Sequence, residues 1–437
     1  MTKLQQTILN ITVPLVLTLF GSVAVLEFGF RTFYQVIPLE VCASDFIIGN
    51  YYCQPYFQYD KPIKIAYRYQ PDLQLEGYWD PANPFLGDAG QETRPSDRSD
   101  PFWYVLETDE MGFPNSADTW QDQYDIIVTG DSFSIRTAPT TWIETLDAQT
   151  EGDVLTLGAP SWTTMNEVEA VKQFGLDKNP NWVVLTYFEG NDMINVQQYL
   201  DKQATGLDWR EYDMQNTTWL QRQVLYHMTR HWLGFNNTGE AETAEPDYRY
   251  PVEVNSEAGK FDAVLKDIHL YPISADADTI RNSDEFKATQ DYLLDLKTTL
   301  EAQEARLLIV YIPSKAHTYW SRIWDPEDIN NILERTVTVR LSEGDHGRME
   351  WDPTQILTYD QFNANHIALE TVFGEFMAEH QFDYINLTPL FWQETISNGE
   401  TYHYVDPHWN QYGNDLVGQI VADYINDPQN QAVDQSE

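Results

Sequence analysis

A chain of 437 residues with 68 Asp and Glu against 26 Lys and Arg carries a formal net charge of −42. That field argues against nucleic acid and anionic membrane surfaces as partners, because phosphate recognition needs clustered cations. Hydrophobic residues at 42% and aromatics at 14% supply a sizeable core, in one large domain or two modest ones.

Residues 8–26, ILNITVPLVLTLFGSVAVL, hold no charge and can span a bilayer as a helix. Pro14 is tolerated in such a helix. Lys3 and the terminal amine precede it, which puts the amino terminus in the cytoplasm and the rest outside; Arg31 weakens the asymmetry. Ser22-Val23-Ala24 also fits a small-x-small cleavage site, so a removed signal is the second reading. Residues 1–30 are therefore expected to be a membrane anchor or signal sequence. The rest is expected outside the cytoplasm, as a single-pass membrane protein or, after cleavage, a secreted one. Cys42 and Cys53 are the only cysteines and sit in no zinc pattern. In an oxidising compartment they fit one disulfide; two free thiols are the other reading.

Residues 31–120 are rich in Tyr, Pro, Asp and Gly and read as a membrane-proximal lead-in of short strands and loops. From 121 the texture changes. Apolar, β-rich runs recur at 124–130 (YDIIVTG), 153–158 (DVLTLG), 182–188 (WVVLTYF), 306–313 (RLLIVYIP) and 382–387 (FDYINL). Helical patterns alternate with them, at about 138–149, 164–176, 284–305, 361–380 and 410–425. This alternation predicts an α/β fold with a parallel sheet covered on both faces, over residues 121–426, with a fraying tail at 427–437. The stretch 195–283 has no long buried strand and scatters Trp209, Trp219, Tyr226, Trp232, Tyr248 and Tyr250. It reads as an insertion over the carboxyl ends of the strands, where α/β enzymes bind ligands. Its aromatics can stack on sugar rings or pack a small core of their own. A second irregular stretch, 316–360, carries Trp320, Trp324 and Trp351 as a candidate opposite wall.

Three short segments carry the chemistry. In IIVTGDSFSIRT (126–137), Ser132 follows Gly130-Asp131 at a strand end, placed for a nucleophile or for a helix cap. A serine hydroxyl needs a base, usually a histidine oriented by a carboxylate. Among nine histidines, His408 stands out. It lies two residues after Asp406, and residues two apart in extended chain point the same way. Pro407 favours that extended geometry at Asp406. In FEGNDM (188–193), Asn191 follows a strand and offers an amide to a developing oxyanion, or makes a plain Gly-Asn turn. Lys315 and His317, in YIPSKAHTYW, end near the same edge and are candidate substrate contacts, with a capped structural loop as the other reading. No EF-hand loop and no His-x-x-x-His helix is present, so no metal and no cofactor is called for.

In this order the segments resemble the SGNH (GDSL-type) hydrolase family, over about 122–426 without the insertion. Gly130-Asp131-Ser132 matches the first block, with the nucleophile. Gly190-Asn191-Asp192 matches the third, whose Asn completes the oxyanion hole. Asp406-Pro407-His408 falls where the last block supplies acid and base. LGAPSWTT (157–164) occupies the place of the second block and puts Ser161 where the family usually has glycine, with Gly158 three residues earlier. The resemblance implies a three-layer α/β/α sandwich with a central, mostly parallel sheet. It also implies an oxyanion hole from Ser132 N–H, the N–H at 161 and the Asn191 amide, with Asp131 and Gly158 beside the substrate.

Two departures stand out: no glycine follows the serine within SFSIRTAPT, and one residue rather than two separates acid from base. The DPHWN form resembles membrane-linked or exported members that handle acyl groups on cell-surface polysaccharides. The expected function is thus an extracytoplasmic serine esterase acting on a small-molecule or glycan ester. The alternatives are an O-acyltransferase using the same residues with a membrane acyl-donor partner, and a non-catalytic glycan-binding or assembly protein.

Overall fold

The computed structural model describes residues 3–33, 37, 41, 51–52, 57–59, 65–79, 102–116, 120–233, 249–342 and 347–431. Cys42, Cys53 and Tyr248 lie outside them. The chain forms two compact units. One comprises Met1–Phe57 with Trp209–Glu245, the other Gln58–Asp208 with Pro246–Glu437. This division cuts both the lead-in and the insertion as read from the sequence.

The larger unit is built on five parallel strands: β1 (Ile126–Gly130), β2 (Val154–Gly158), β3 (Trp182–Phe188), β4 (Arg306–Ile312) and β5 (Asp383–Asn386). Their order is β5-β4-β3-β1-β2. They coincide with the five apolar runs because residues buried on both faces need no polar alternation. The two faces separate by parity. Ile127, Val183, Leu185, Leu307 and Ile309 enter one core, with helices α2 (Thr164–Ala170), α4 (Asp284–Glu301) and α6 (Ala368–Glu379). Ile126, Val128, Val184, Leu308 and Val310 enter the other, with α1 (Trp142–Gln149), α5 (Lys315–Trp320) and α7 (Gln411–Asn426). The result is an α/β/α sandwich. The strand order reverses between β2 and β3 around β1, which opens a crevice at the carboxyl ends, a place where open sheets bind ligands.

Three features differ from the sequence reading. Arg249–Ser256 and Gly259–Lys266 form an antiparallel hairpin, with Tyr250, Val252, Val254 and Leu265 buried in the second core. Its alternation is partly masked in the sequence by Pro251 and flanking charges. The stretch 316–360 contains a helix (Pro326–Leu333) and a hairpin (Val337–Leu341, Met349–Ile356). Trp320 is buried there, Trp324 is exposed, and Trp351 packs on Tyr271 at 4.7 Å. Finally, Asn115 of the lead-in exchanges two hydrogen bonds with the Thr156 backbone, both 2.9 Å, so that one side chain covers the free edge of β2.

In the smaller unit, Lys3–Thr32 is one helix, with Thr12–Thr32 long and apolar enough to cross a membrane and residues 12–26 of it exposed. Trp209, Trp219, Tyr226 and Trp232 belong to this unit.

Candidate active site

β1 ends where the chain is crowded. A Cβ at Gly130 would lie 1.9 Å from Thr186 Oγ1 and 2.3 Å from Ser134 Oγ; one at Gly158 would lie 2.8 Å from Ser134 Cβ. Only glycine lets the 3₁₀ turn Ser132–Ser134 settle directly onto the sheet edge. Asp131 caps that turn, accepting from Phe133 N at 2.9 Å. The cap reading and the nucleophile reading are therefore compatible: Asp131 is the cap, and Ser132 is left half-buried at the rim.

The His408 ring meets that serine. His408 Nε2 lies 2.7 Å from Ser132 Oγ, while the nearest Asp131 oxygen is 3.4 Å away. His408 Nδ1 bonds Asp406 Oδ1, the same oxygen that accepts from the His408 backbone N–H at 2.9 Å. The one-residue spacer thus folds acid and base into a single turn. Phe133 packs against the His408 ring at 4.8 Å and against Trp409 at 4.7 Å, so the imidazole rests on an apolar wall.

Burial alone would raise the Asp406 carboxyl. The facing His408, its hydrogen bond, and the nearby Lys266 and His403 outweigh burial and hold it well below the usual carboxylate range. His269 lies in the same neighbourhood. Burial, with Lys266, His408 and Lys315 nearby, pulls its pKa down to about 3, so it stays neutral. Lys266 and His269 come from the stretch read as an insertion, and no local signal marked them. Asp131 goes the other way: burial raises it, and bonds from Phe133 N–H, the Asn191 amide and Ser132 N–H do not offset that.

The Asn191 amide is thus turned to Asp131 at the start of helix α3 (Asp192–Thr205). Ser161 is exposed and adopts φ +57°, the left-handed region that glycine favours. Its loop is clamped by Tyr67, whose hydroxyl bonds Pro160 O and whose carbonyl accepts from Trp162 Nε1 at 2.9 Å.

Four residues expected beside the substrate are buried. Asp131 is enclosed under the turn and Gly158 packs beneath Ser134. Lys315 Nζ donates to three carbonyls, Val264 at 3.1 Å, His403 at 2.8 Å and Tyr404 at 3.2 Å. It ties the loop that leads into Asp406 to the 259–266 strand, and burial pulls its pKa down to about 7. His317 Nδ1 sits 2.9 Å from both Glu189 carboxylate oxygens, and its Nε2 is 3.5 Å from Glu370. Both side chains are spent on the protein itself, and the contact expected of them is corrected to a supporting position.

No family model matches the chain, and no curated protein does. Solved structures show likenesses. A lipase/acylhydrolase from Enterococcus faecalis is 11% identical, over 69% of this chain and 94% of that one, with a TM-score of 0.29. A catalytic mutant of an acetylxylan esterase from Geobacillus stearothermophilus is 10% identical, over 69% and 95%, at 0.28. A GDSL-like lipase from Bacteroides thetaiotaomicron is 10% identical, over 68% and 84%, at 0.27. Scores this low assign no role to any residue here.

Proposed function

We propose that the chain is a serine esterase, anchored in a membrane and working outside the cytoplasm, that hydrolyses O-acyl esters. The observation that carries the reading is the relay Ser132 Oγ, His408 Nε2, His408 Nδ1, Asp406 Oδ1, with the first link at 2.7 Å. Ser132 Oγ attacks the ester carbonyl carbon as its proton passes to His408 Nε2. Asp406 accepts from Nδ1–H, fixes that tautomer and stabilises the imidazolium. The donors proposed for the tetrahedral oxyanion are the N–H at 161 and, once they turn from Asp131 to the substrate, Ser132 N–H and the Asn191 amide, each donor worth roughly 3 kcal/mol. Collapse expels the alkoxide, which takes the proton back from His408. Water then repeats the cycle and releases the acid. An acetylated carbohydrate is the substrate class that the resemblance to exported acyl-handling enzymes suggests.

A fluorophosphonate probe tests the reading. It should label Ser132, and His408→Ala should abolish the labelling; modification elsewhere, or labelling indifferent to His408, would overturn the assignment. Transfer to a sugar hydroxyl is the second reading, favoured by the DPHWN form of the acid–base turn. With an aryl acetate donor and a glycan acceptor, accumulation of acylated glycan marks transfer, and free acetate marks hydrolysis.

A further inference from the structure

The smaller unit joins segments about two hundred residues apart, and the joint falls at the end of the apolar helix. Residues 8–26 form nineteen uncharged positions, a helix about 28 Å long against a hydrocarbon core of about 30 Å. The next residue is Glu27, the first charge after the run. It is turned into the protein: Oε1 accepts from Val224 N at 2.9 Å and Oε2 from Leu225 N at 2.8 Å. A carboxylate on the first N–H groups of the helix Val224–Trp232 satisfies orphan donors and meets the positive end of its dipole. Arg31, one turn on, bonds Glu27 at 2.7 Å, Arg222 O at 2.9 Å and Gln223 Oε1 at 3.2 Å. The first charge beyond the apolar run therefore fixes a second element at one depth.

That element is unlike the rest of the chain. Residues 214–239 contain no Asp or Glu, although about one residue in six of the whole sequence is acidic, and they include Arg222, Arg230, His227 and His231. Val224 and Met228 are buried, yet Trp219, Leu220, Trp232 and Leu233 are 69%, 53%, 61% and 63% exposed. Trp232 lies beside Phe30 of the apolar helix, with ring centroids 6.2 Å apart. Exposed Trp and Leu next to Arg, level with the end of an apolar helix, is the composition of a membrane–water interface. In a chain of −42, an acid-free stretch there also suits anionic headgroups.

We propose that residues 214–233 form an interfacial collar. Trp219, Leu220, Trp232 and Leu233 enter the boundary between headgroups and acyl chains of the bilayer that the apolar helix crosses, and Glu27 locks the collar at that depth. The proposal rests on reading the helix as an uncleaved span. It also narrows the expectation from net charge, because one short segment is exempt from the acidic field.

The test uses the full chain in nanodiscs of phosphatidylcholine and phosphatidylglycerol. Lipids brominated near the headgroup end quench nearby tryptophans. The difference between wild type and Trp219→Phe/Trp232→Phe isolates this pair among 14 tryptophans. The quenched component should fall about two-fold or more in the variant, with aryl acetate hydrolysis unchanged. Glu27→Gln should raise the access of acrylamide to the pair. A chain that stays with the bilayer after alkaline carbonate, but whose pair is quenched by acrylamide rather than bromolipid, sinks the collar alone. Shielding from both quenchers means protein cover and also sinks it. Release by carbonate overturns the anchor and the collar together, and leaves the fluorophosphonate result standing.

Discussion

Asp131 and Asp406 stand on either side of one hydroxyl and are equally enclosed, at 1% and 2% exposure. Burial pushes both carboxyls up, yet they end shifted in opposite directions. Asp406 faces His408, Lys266 and His403 and is held low. Asp131 receives only neutral donors and one imidazole, and it stays raised. Behind it lie Glu167 and Asp192, also buried. Burial raises Glu167 well above the carboxylate range, and its neighbours Asp192 and Asp131 add to the effect. Burial does the same to Asp192, with Asp131 adding. The difference is one of neighbours. Asp406 is held low behind the imidazole, where on the proposed mechanism its charge stabilises an imidazolium. Asp131, on the flank proposed to hold the oxyanion, is shifted the other way by its burial.

The widest break comes from the relay itself. Ser132→Ala or His408→Ala should lower kcat on aryl acetates by on the order of 10⁴–10⁶, with the far-ultraviolet spectrum unchanged. Retention of more than a few per cent of activity would remove the relay from the mechanism. Asp406→Asn keeps the shape but withdraws the charge and the correct tautomer. A loss of about 10³–10⁴ in kcat is expected, with little change in KM.

His269 sharpens the comparison through stability. Its folded pKa of about 3 lies below the unfolded value of 6.5. The unfolded chain therefore takes up a proton first as pH falls. The stability due to a neutral His269 is complete above about pH 6.5 and is lost progressively toward pH 3, by at most about 5 kcal/mol. His269→Phe, which can keep the edge contact with Phe188 at 5.6 Å, should flatten the acid limb of Tm against pH. An unchanged limb would mean that His269 is not held neutral.

Asp131→Asn is the direct opposite of Asp406→Asn. Asp131 stands outside the Asp406–His408 pair, and an amide oxygen can still accept from Phe133 N, so kcat should fall less than about ten-fold. Equal losses in the two variants, measured side by side, would erase the distinction between the flanks.

Much of this was legible in the chain. The five strands coincide with apolar runs, because a strand covered on both faces writes its burial into every residue. That Ser132, Asp406 and His408 come together was foreshadowed because strand-end glycine, serine and an acid and histidine two residues apart are local patterns. What the sequence hid is pairing at long range. Nothing near Lys315 tells that its ammonium would find the carbonyls of 264, 403 and 404. Nothing near Asn115 announces a strand edge forty residues on. The hairpin at 249–266 was missed because Pro251 and its charged flanks obscure the alternation of Tyr250, Val252 and Val254. Lys266 and His269 ride on that element, so their proximity to Asp406 was hidden with it.

Ser161 carries the smallest expected effect and a sharp distinction. A left-handed serine at φ +57° costs on the order of 1 kcal/mol relative to a residue without Cβ. Glycine gives part of that back as unfolded-chain entropy. Ser161→Gly should therefore leave stability unchanged or raise it by less than about 1 kcal/mol. If the position serves the oxyanion through its N–H, neither Ser161→Gly nor Ser161→Ala should alter kcat beyond about two-fold, because both keep the backbone donor. A large loss in both variants would mean that the exposed hydroxyl itself touches the substrate. That flank would then be a binding surface as well as the proposed place for the oxyanion.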